Sequence, residues 1–197
     1  MQAALADVDA SRAAVRLTLT AGSGGRGLDR PQTMTPRLVA TAATSPRPLE
    51  PARLMTAAVR RNDRSPASRL KTLSYLDNVL ARAEARTAGA DEALMLNTRD
   101  EVACAGAANL FWVRDGRLFT PALDCGVLAG IARGRVLAAA RRLRIDCVEA
   151  HAAPTELEGA EAVFITNSLI GLRAVGAFDG RPLEPWRGLA DLDAALD

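Results

Sequence analysis

Three prolines within residues 44–51 divide the sequence into two parts of very different length. The prolines are Pro46, Pro48 and Pro51, and most residues between and around them are polar. Proline fixes φ and removes a backbone donor, so a window of this kind is typical of an interdomain linker. We therefore expect the remnant of a small amino-terminal domain at residues 1–43, a linker at 44–51 and a large domain at 52–197.

The first part is too short to fold as a domain alone. A helix is expected over about residues 2–13, followed by strands at 15–20 and 37–41, and this set exposes more sheet edge than it covers. We therefore expect the small domain to be cut at its amino end. The glycines of 22–27 formally match a dinucleotide-binding loop, but Pro31 and Pro36 prevent the helix that such a loop must open. A simple connection between two strands is predicted instead.

The large part alternates short apolar runs with helical stretches, which predicts a mixed fold of strands and helices. Asp115-Gly116 between two apolar runs predicts a tight hairpin, and Asp179-Gly180 predicts a second turn. The tail after Gly171 is expected to be polar and partly helical. Strands are predicted at 53–59, 92–97, 109–114, 117–120, 145–150 and 162–166, and helices at 73–89, 131–143 and 155–160.

Composition excludes several classes of function. The net charge is +2 with scattered arginines, so no basic stripe indicates a nucleic-acid partner. The cysteines, Cys104, Cys125 and Cys147, lack a Cys-x-x-Cys spacing, and His151 is the single histidine. These features argue against a disulfide framework, a structural zinc site and a His-ligated metal centre, so we expect no metal. No apolar run has membrane-spanning length and no secretory signal is recognisable, which favours the cytoplasm.

Lys71 is the single lysine among 25 basic residues. Arginine stays protonated and cannot act as an amine nucleophile, whereas a desolvated lysine can form an imine. A solitary lysine is more often a solvated surface charge. Here, however, it precedes a predicted amphipathic helix, and Tyr75 lies four residues on, where its phenol can reach the same ligand.

Two further stretches are typical of ligand-binding positions. Glycines at 126 and 130 precede the helix predicted at 131–143, so backbone amides there can bind an anion, although glycine before a helix is more often a simple turn. The buried strand at 162–166 ends in Thr166, Asn167 and Ser168, whose small polar groups suit hydrogen bonding to a ligand.

In their order and spacing these features resemble fold-type IV pyridoxal-phosphate enzymes, the class IV aminotransferases that include branched-chain aminotransferases, D-amino-acid aminotransferases and aminodeoxychorismate lyases. The resemblance implies an α+β fold: a large domain with a mixed, barrel-like sheet and flanking helices, and the remnant of a smaller α+β domain. It rests on Arg69-Leu-Lys-Thr-Leu-Ser-Tyr-Leu-Asp-Asn78, Ala90-Asp-Glu-Ala-Leu-Met-Leu-Asn97, Ala108-Asn-Leu-Phe111, Thr120-Pro121, Gly126-Val-Leu-Ala-Gly-Ile-Ala-Arg133 and Val163-Phe-Ile-Thr-Asn-Ser-Leu169.

The resemblance also implies a cofactor, a reaction and a set of site residues. The cofactor would be pyridoxal 5'-phosphate and Lys71 the imine-forming residue, with transamination of amino acids or aminodeoxychorismate lyase chemistry as the reaction. The chain would act as a homodimer. The residues implied to contact the cofactor are Lys71, Tyr75, Cys104, Leu128, Gly130, Ile131, Ala132, Thr166, Asn167 and Ser168.

Two of these residues depart from the family pattern. Cys104 occupies the position of a glutamate that pairs with the pyridine nitrogen, and a thiol cannot hold that nitrogen protonated as a carboxylate does. Ala132 stands where a threonine often contributes to phosphate binding. The alternative to an active enzyme is therefore a truncated, catalytically impaired relative that serves as a binding or interaction module, or a fragment.

Overall fold

The computed structural model describes residues 2–5, 8, 11–24 and 26–196. By its internal contacts the chain forms two compact units, Met1–Arg47 and Pro48–Asp197. In the described part of the chain, no helix is both long and apolar enough to cross a membrane.

The first unit is a two-stranded antiparallel hairpin with one short helix. Helix α1 spans Gln2–Leu5, and strands β1 (Ala13–Thr20) and β2 (Arg37–Thr44) pair along their whole length. The predicted helix over 2–13 is thus wrong in extent, since α1 ends at Leu5 and β1 begins at Ala13; residues 6, 7, 9 and 10 lie outside the described residues. The described part of the 21–36 connection contains no helix, as predicted.

The second unit contains nine strands, four α-helices and two short 3-10 helices in its described residues. The 3-10 helices are Pro66–Arg69 and Leu123–Cys125. The α-helices are α2 (Leu76–Thr87), α3 (Ile131–Arg142), α4 (Thr155–Glu158) and α5 (Leu189–Ala194), of which α4 is a single turn. The strands are β3 (Ala52–Thr56), β4 (Glu92–Leu96), β5 (Val102–Ala105), β6 (Asn109–Arg114), β7 (Arg117–Pro121), β8 (Cys147–Ala150), β9 (Ala162–Asn167), β10 (Gly171–Phe178) and β11 (Arg181–Pro182).

These strands form one mixed sheet in the order β5-β4-β3-β10-β9-β6-β7-β8, with β11 paired to β10. The β3–β4, β3–β10 and β7–β8 pairs are parallel and the others are antiparallel. The sheet curls so far that its two ends meet: the backbone amide of Val102 at the start of β5 donates to the carbonyl of Ala152, just past β8, at 2.8 Å. The barrel-like mixed sheet and α+β class expected from the sequence are therefore confirmed.

Both faces of the central strands are buried. In β6, Leu110 and Trp112 face the main core within the curled sheet, while Phe111 and Val113 face α3 and α5. The ring of Phe111 stacks on that of Phe164 in β9, with centroids 5.1 Å apart. Burial on both sides explains why β6 and β9 read as continuous apolar runs rather than alternating ones.

The predicted Asp115-Gly116 hairpin is present between β6 and β7. Arg114 pairs with Arg117, and both turn residues have positive φ, 50° for Asp115 and 70° for Gly116. A two-residue loop with both residues left-handed matches the twist of the flanking strands. The Asp179-Gly180 turn has the same signature between β10 and β11, with φ values of 46° and 79°.

Two Gly→Ala substitutions should have opposite effects on stability. Neither Gly116 nor Gly134 has a neighbour within 4 Å of an added Cβ, so the two sites differ in backbone conformation and not in steric contacts. Gly116→Ala places a side chain at φ 70° and should lower the free energy of unfolding by about 1–2 kcal/mol. Gly134→Ala, inside α3, should raise it by about 0.8–1.0 kcal/mol. Urea unfolding followed by circular dichroism measures both, and equal shifts would contradict the turn assignment.

Candidate functional site

Lys71 lies in the short segment between the 3-10 helix Pro66–Arg69 and α2. Its side chain is exposed, and its Nζ lies 3.4 Å from the hydroxyl oxygen of Tyr75 and 5.0 Å from the centroid of that ring. Tyr75 is half-buried and immediately precedes the first residue of α2. The predicted pairing of amine and phenol is therefore present at the surface of the second unit.

A buried arginine that sequence reasoning missed connects this segment to the glycine turn. The guanidinium of Arg61 donates from Nε to the Gly126 carbonyl at 3.0 Å, from Nη1 to Oδ1 of Asn78 at 2.7 Å, and from Nη2 to the Ser68 carbonyl at 2.5 Å. Ser68 lies just ahead of Lys71, and Asn78 lies in the first turn of α2. Arg61 thus holds both sides of the Lys71 segment against the turn at 126–130.

The turn at 126–130 requires its glycines for steric reasons. Gly126 has a φ of 82°, and a Cβ there would lie 2.7 Å from the Cα of Asp63. Gly130 lies against Asn109, whose Oδ1 would be 2.2 Å from an added Cβ. The side-chain amide of Asn109 also donates from Nδ2 to the Leu128 carbonyl at 2.9 Å, so this residue at the start of β6 sets the shape of the turn.

The turn leads into a helix N-terminus with available amide donors. Gly130 is the N-cap of α3, no side chain caps that end, and its first turn contains no acidic residue. Ile131 is exposed and Ala132 is half-buried. The first amides of a helix have no partner within the helix, and together with the helix dipole they favour a bound anion.

Cys104 lies in β5 in an environment that keeps its thiol neutral. It is buried among apolar side chains, including Ala81 and Ala85 of α2. Burial raises the pKa of the Cys104 thiol to about 11, with a smaller lowering by Arg61 and a smaller rise from the nearby Glu92. Burial also raises the pKa of Glu92 itself. At neutral pH Cys104 therefore has no negative charge with which to hold a ring nitrogen protonated.

The polar end of β9 is connected to the same group of loops. Thr166 is fully buried and pairs with Asn109 across the β6–β9 ladder, and its hydroxyl oxygen has no hydrogen-bond partner among the described residues. Asn167 donates from Nδ2 to the Ala107 carbonyl at 2.9 Å. Ser168 follows and is exposed.

A few polar side chains thus connect four segments that are distant in sequence: the Lys71 segment with α2, the loop after Cys104, the turn at 126–130 and the end of β9. The connection from α2 to the loop after Cys104 is made by Asn78, whose Nδ2 donates to the Gly106 carbonyl at 2.8 Å. The sequence analysis assigned no role to Arg61, Asn78 or Asn109. Asn78 and Asn109 lie in two of the stretches on which the family resemblance rests, and Asn78 is a polar residue on the helix face that also contains Ala81 and Ala85. Arg61 carried no such signal.

Comparisons with known proteins identify the family of the chain. The family described as "Amino-transferase class IV" matches residues 1–178. The "Putative branched-chain-amino-acid aminotransferase" of Methanocaldococcus jannaschii is 34% identical over 172 residues, which cover 85% of this chain and 59% of that protein. The aminodeoxychorismate lyase of Vibrio harveyi is 35% identical over 100 residues, 51% of this chain and 37% of the lyase.

Solved structures show the same fold. The branched-chain aminotransferase of Thermoproteus uzoniensis, solved with norvaline, superimposes with a TM-score of 0.88 at 26% identity, covering 93% of this chain and 63% of the other. A second branched-chain amino acid aminotransferase, complexed with N-(5'-phosphopyridoxyl)-L-glutamate, gives a TM-score of 0.84 at 26% identity over 93% of this chain and 62% of the other.

The chain is shorter than these proteins, and it spans less than two thirds of the length of each of the four. The family match covers most of its residues, and the sequence identity and the shared fold agree with that match. On these three findings together, the chain belongs to the class IV amino-transferases.

Proposed function

We propose that this chain binds pyridoxal 5'-phosphate and exchanges amino groups on amino acids, or acts on aminodeoxychorismate, through Lys71. The observation that carries the proposal is the connection, through Arg61, of the Lys71 segment to the turn that precedes the uncapped N-terminus of α3. An aldehyde requires an amine, and a phosphate requires amide donors. The structural relatives include an aminotransferase complexed with a phosphopyridoxyl amino acid.

The groups present in the structure fit this cofactor at its aldehyde, its ring hydroxyl and its phosphate, but not at its ring nitrogen. Lys71 offers the amine and Tyr75 a phenol beside it, 3.4 Å away. The first amides of α3, with Ser168 at the exposed end of β9, would hold the phosphate, and the absence of a threonine at Ala132 leaves those backbone amides unchanged. The ring nitrogen, however, would meet the neutral thiol of Cys104. Leu128 and Ile131 would supply apolar contacts to the ring.

The residues of this chain would act as follows in the reaction. The bound cofactor supplies an electron-withdrawing ring that stabilises negative charge at the substrate carbon. Lys71 would hold the cofactor at its aldehyde and, with its amine free, would accept and return a proton at the substrate as a general base and acid. Tyr75 holds the amine in position through the Nζ–hydroxyl contact. Because Cys104 stays neutral, the ring would withdraw electrons less strongly than with a carboxylate at that position.

We also propose that two copies of the chain associate through the outward face of α2. Leu76, Val79 and Leu80 are exposed on this helix, and Ala83 extends the same face. They point away from the face that contains the buried Asn78, Ala81 and Ala85. An exposed apolar stripe is typical of an interaction surface, and this one begins beside Tyr75. A second copy here would shield the amine of Lys71 from water.

We further propose a cytoplasmic location, with which the three free cysteines are compatible.

Lys71→Arg should abolish covalent binding of pyridoxal 5'-phosphate. Arginine keeps the positive charge but cannot form a bond to the aldehyde carbon. The parent chain should acquire a new visible absorption band on addition of the cofactor, and borohydride reduction should fix the added mass on the peptide that contains Lys71. Tyr75→Phe is the matched control and should retain the adduct. A band of undiminished strength in Lys71→Arg would refute the assignment.

Cys104→Glu should raise the rate of amino-group exchange about tenfold or more. A carboxylate would hold the ring nitrogen protonated, and tenfold corresponds to about 1.4 kcal/mol of barrier. The same variant should be less stable without cofactor, since it buries a charge near Glu92. Cys104→Gln has the same size without the charge and should show no gain. Single-turnover kinetics and thermal unfolding test this, and equal rates in the two variants would contradict the role of position 104. A parent chain that binds the cofactor without turnover would indicate the impaired relative instead.

Leu80→Glu should convert the proposed dimer to a monomer. The substitution places a charge in the centre of the apolar stripe on α2, where burial against a second copy would cost several kcal/mol. Leu143→Glu is the control, because Leu143 is also an exposed leucine but lies outside the stripe, after α3. Light scattering after size exclusion measures the mass. A monomeric parent, or a dimeric Leu80→Glu variant, would rule out this interface.

A further inference from the structure

The seam where the curled sheet closes brings together three side chains that can bind a metal. The hydrogen bond from Val102 to Ala152 closes the seam, and the residues immediately before these two are Glu101 and His151. Cys125, at the end of the second 3-10 helix, lies against both. This group is separate from the residues assigned to the cofactor, and it comes from three stretches of chain that are distant in sequence.

The three potential ligand atoms form a closed triangle. Oε2 of Glu101 lies 3.3 Å from Nδ1 of His151, Nδ1 lies 3.5 Å from Sγ of Cys125, and Sγ lies 3.7 Å from Oε2. The thiol of Cys125 and an Nδ1–H of His151 can each donate one hydrogen bond to Oε2 of Glu101, but this leaves the contact between Nδ1 and Sγ without a proton of its own. Three atoms at mutual contact around a common centre are, in contrast, what a small cation requires.

The triangle has the dimensions of one face of a zinc coordination tetrahedron. With zinc bonds of about 2.0–2.3 Å to nitrogen, oxygen and sulfur, the ligand atoms lie about 3.3–3.7 Å apart. The three measured distances cover this range, and the pair that includes no sulfur is the shortest. We propose that Glu101, Cys125 and His151 form a zinc site, completed by a water molecule, that joins the two ends of the sheet.

The surrounding side chains suit such a site. Nε2 of His151 lies 3.1 Å from Oδ1 of Asp124, and a carboxylate at this position fixes the ring so that Nδ1 faces the metal. Oε2 of Glu101 accepts from Nδ2 of Asn97 at 2.8 Å and from the Arg99 guanidinium, from Nη2 at 2.8 Å and from Nε at 3.0 Å. An oxygen has two lone pairs, so zinc at Oε2 leaves room for one of these N–H donors, and the others must move to Oε1. Asp63 forms an ion pair with Arg99 and offsets its positive charge.

The charges beside Cys125 also favour a cation. The carboxylates of Glu101 and Asp124 both lie against this group and attract a divalent ion. Zinc binding would break the S–H bond, with the electron pair kept by sulfur for the metal and the proton released to solvent. The sequence predicted no metal, because its cysteines lack a Cys-x-x-Cys spacing and it contains a single histidine.

Titration of the metal-free 197-residue chain with Zn²⁺ tests the proposal. One ion per chain should bind, and bound zinc should raise the midpoint of thermal unfolding because it joins two ends of the sheet. Co²⁺ at the same site should give the intense near-ultraviolet band of a thiolate–cobalt bond, a signal that a purely structural role of Cys125 would not produce. A parent chain that binds no Zn²⁺, or gives no thiolate band, overturns the proposal.

Variants identify the ligands. Cys125→Ser should remove the thiolate band and weaken zinc binding at least tenfold, and His151→Ala, which alters an exposed side chain and should fold normally, should weaken it to a similar degree. Asp124→Asn should cost about 10–100-fold in affinity through loss of ring orientation. Cys147→Ser, at a half-buried cysteine in β8, is the matched control and should bind as the parent does. Unchanged binding in Cys125→Ser or His151→Ala, or equal loss in Cys147→Ser, overturns the assignment.

Discussion

The guanidinium of Arg61 is the interaction on which the arrangement of the candidate site depends. It is buried, and among the described residues no carboxylate lies within ion-pair distance of it, so its charge is balanced by two carbonyl groups and the amide oxygen of Asn78. Loss of the partners of a buried charge costs about 3–5 kcal/mol, which makes this set of hydrogen bonds close to all-or-none. The Lys71 segment and the turn at Gly126 are therefore held together as one unit.

Local chemistry was readable from the sequence, whereas long-range contacts were not. The Asp115-Gly116 turn, the buried runs of β6 and β9 and the start of α3 after Gly130 each follow from adjacent residues. Strand β10 was missed, whereas the partly helical terminus expected after Gly171 is present as α5. Glycine at 171 and 176 and Arg173 interrupt the apolar pattern of β10, yet this strand lies in the middle of the sheet between β3 and β9.

In the candidate site, too, residues with a local sequence signal were identified and residues placed by long-range contacts were not. Lys71 was identified by its rarity and Cys104 by its place before Asn109, since both signals are contained in short stretches of sequence. Arg61 carried no such signal, because a charged residue in a polar loop is usually solvated. Only the fold shows that its guanidinium contacts the carbonyl of Gly126, which is 65 residues away in sequence. The contact between Cys125 and His151 depends in turn on closure of the sheet, which no local pattern specifies.

The proposed anion site depends on backbone and on Arg61 rather than on a side-chain hydroxyl in α3. A helix N-terminus carries about half a positive charge, and the buried guanidinium, which contacts the carbonyl of Gly126 in the preceding turn, adds a full one nearby. In a site of low dielectric constant both act more strongly than they would in water. A threonine at position 132 would add one hydrogen bond to the phosphate. Its replacement by Ala132 therefore weakens the attraction for a phosphate but leaves the helix N-terminus and the guanidinium in place. The proposed role of Cys104 is a different matter, since a neutral thiol would supply no charge to the ring nitrogen. Binding and turnover should therefore respond independently to these two departures from the family pattern.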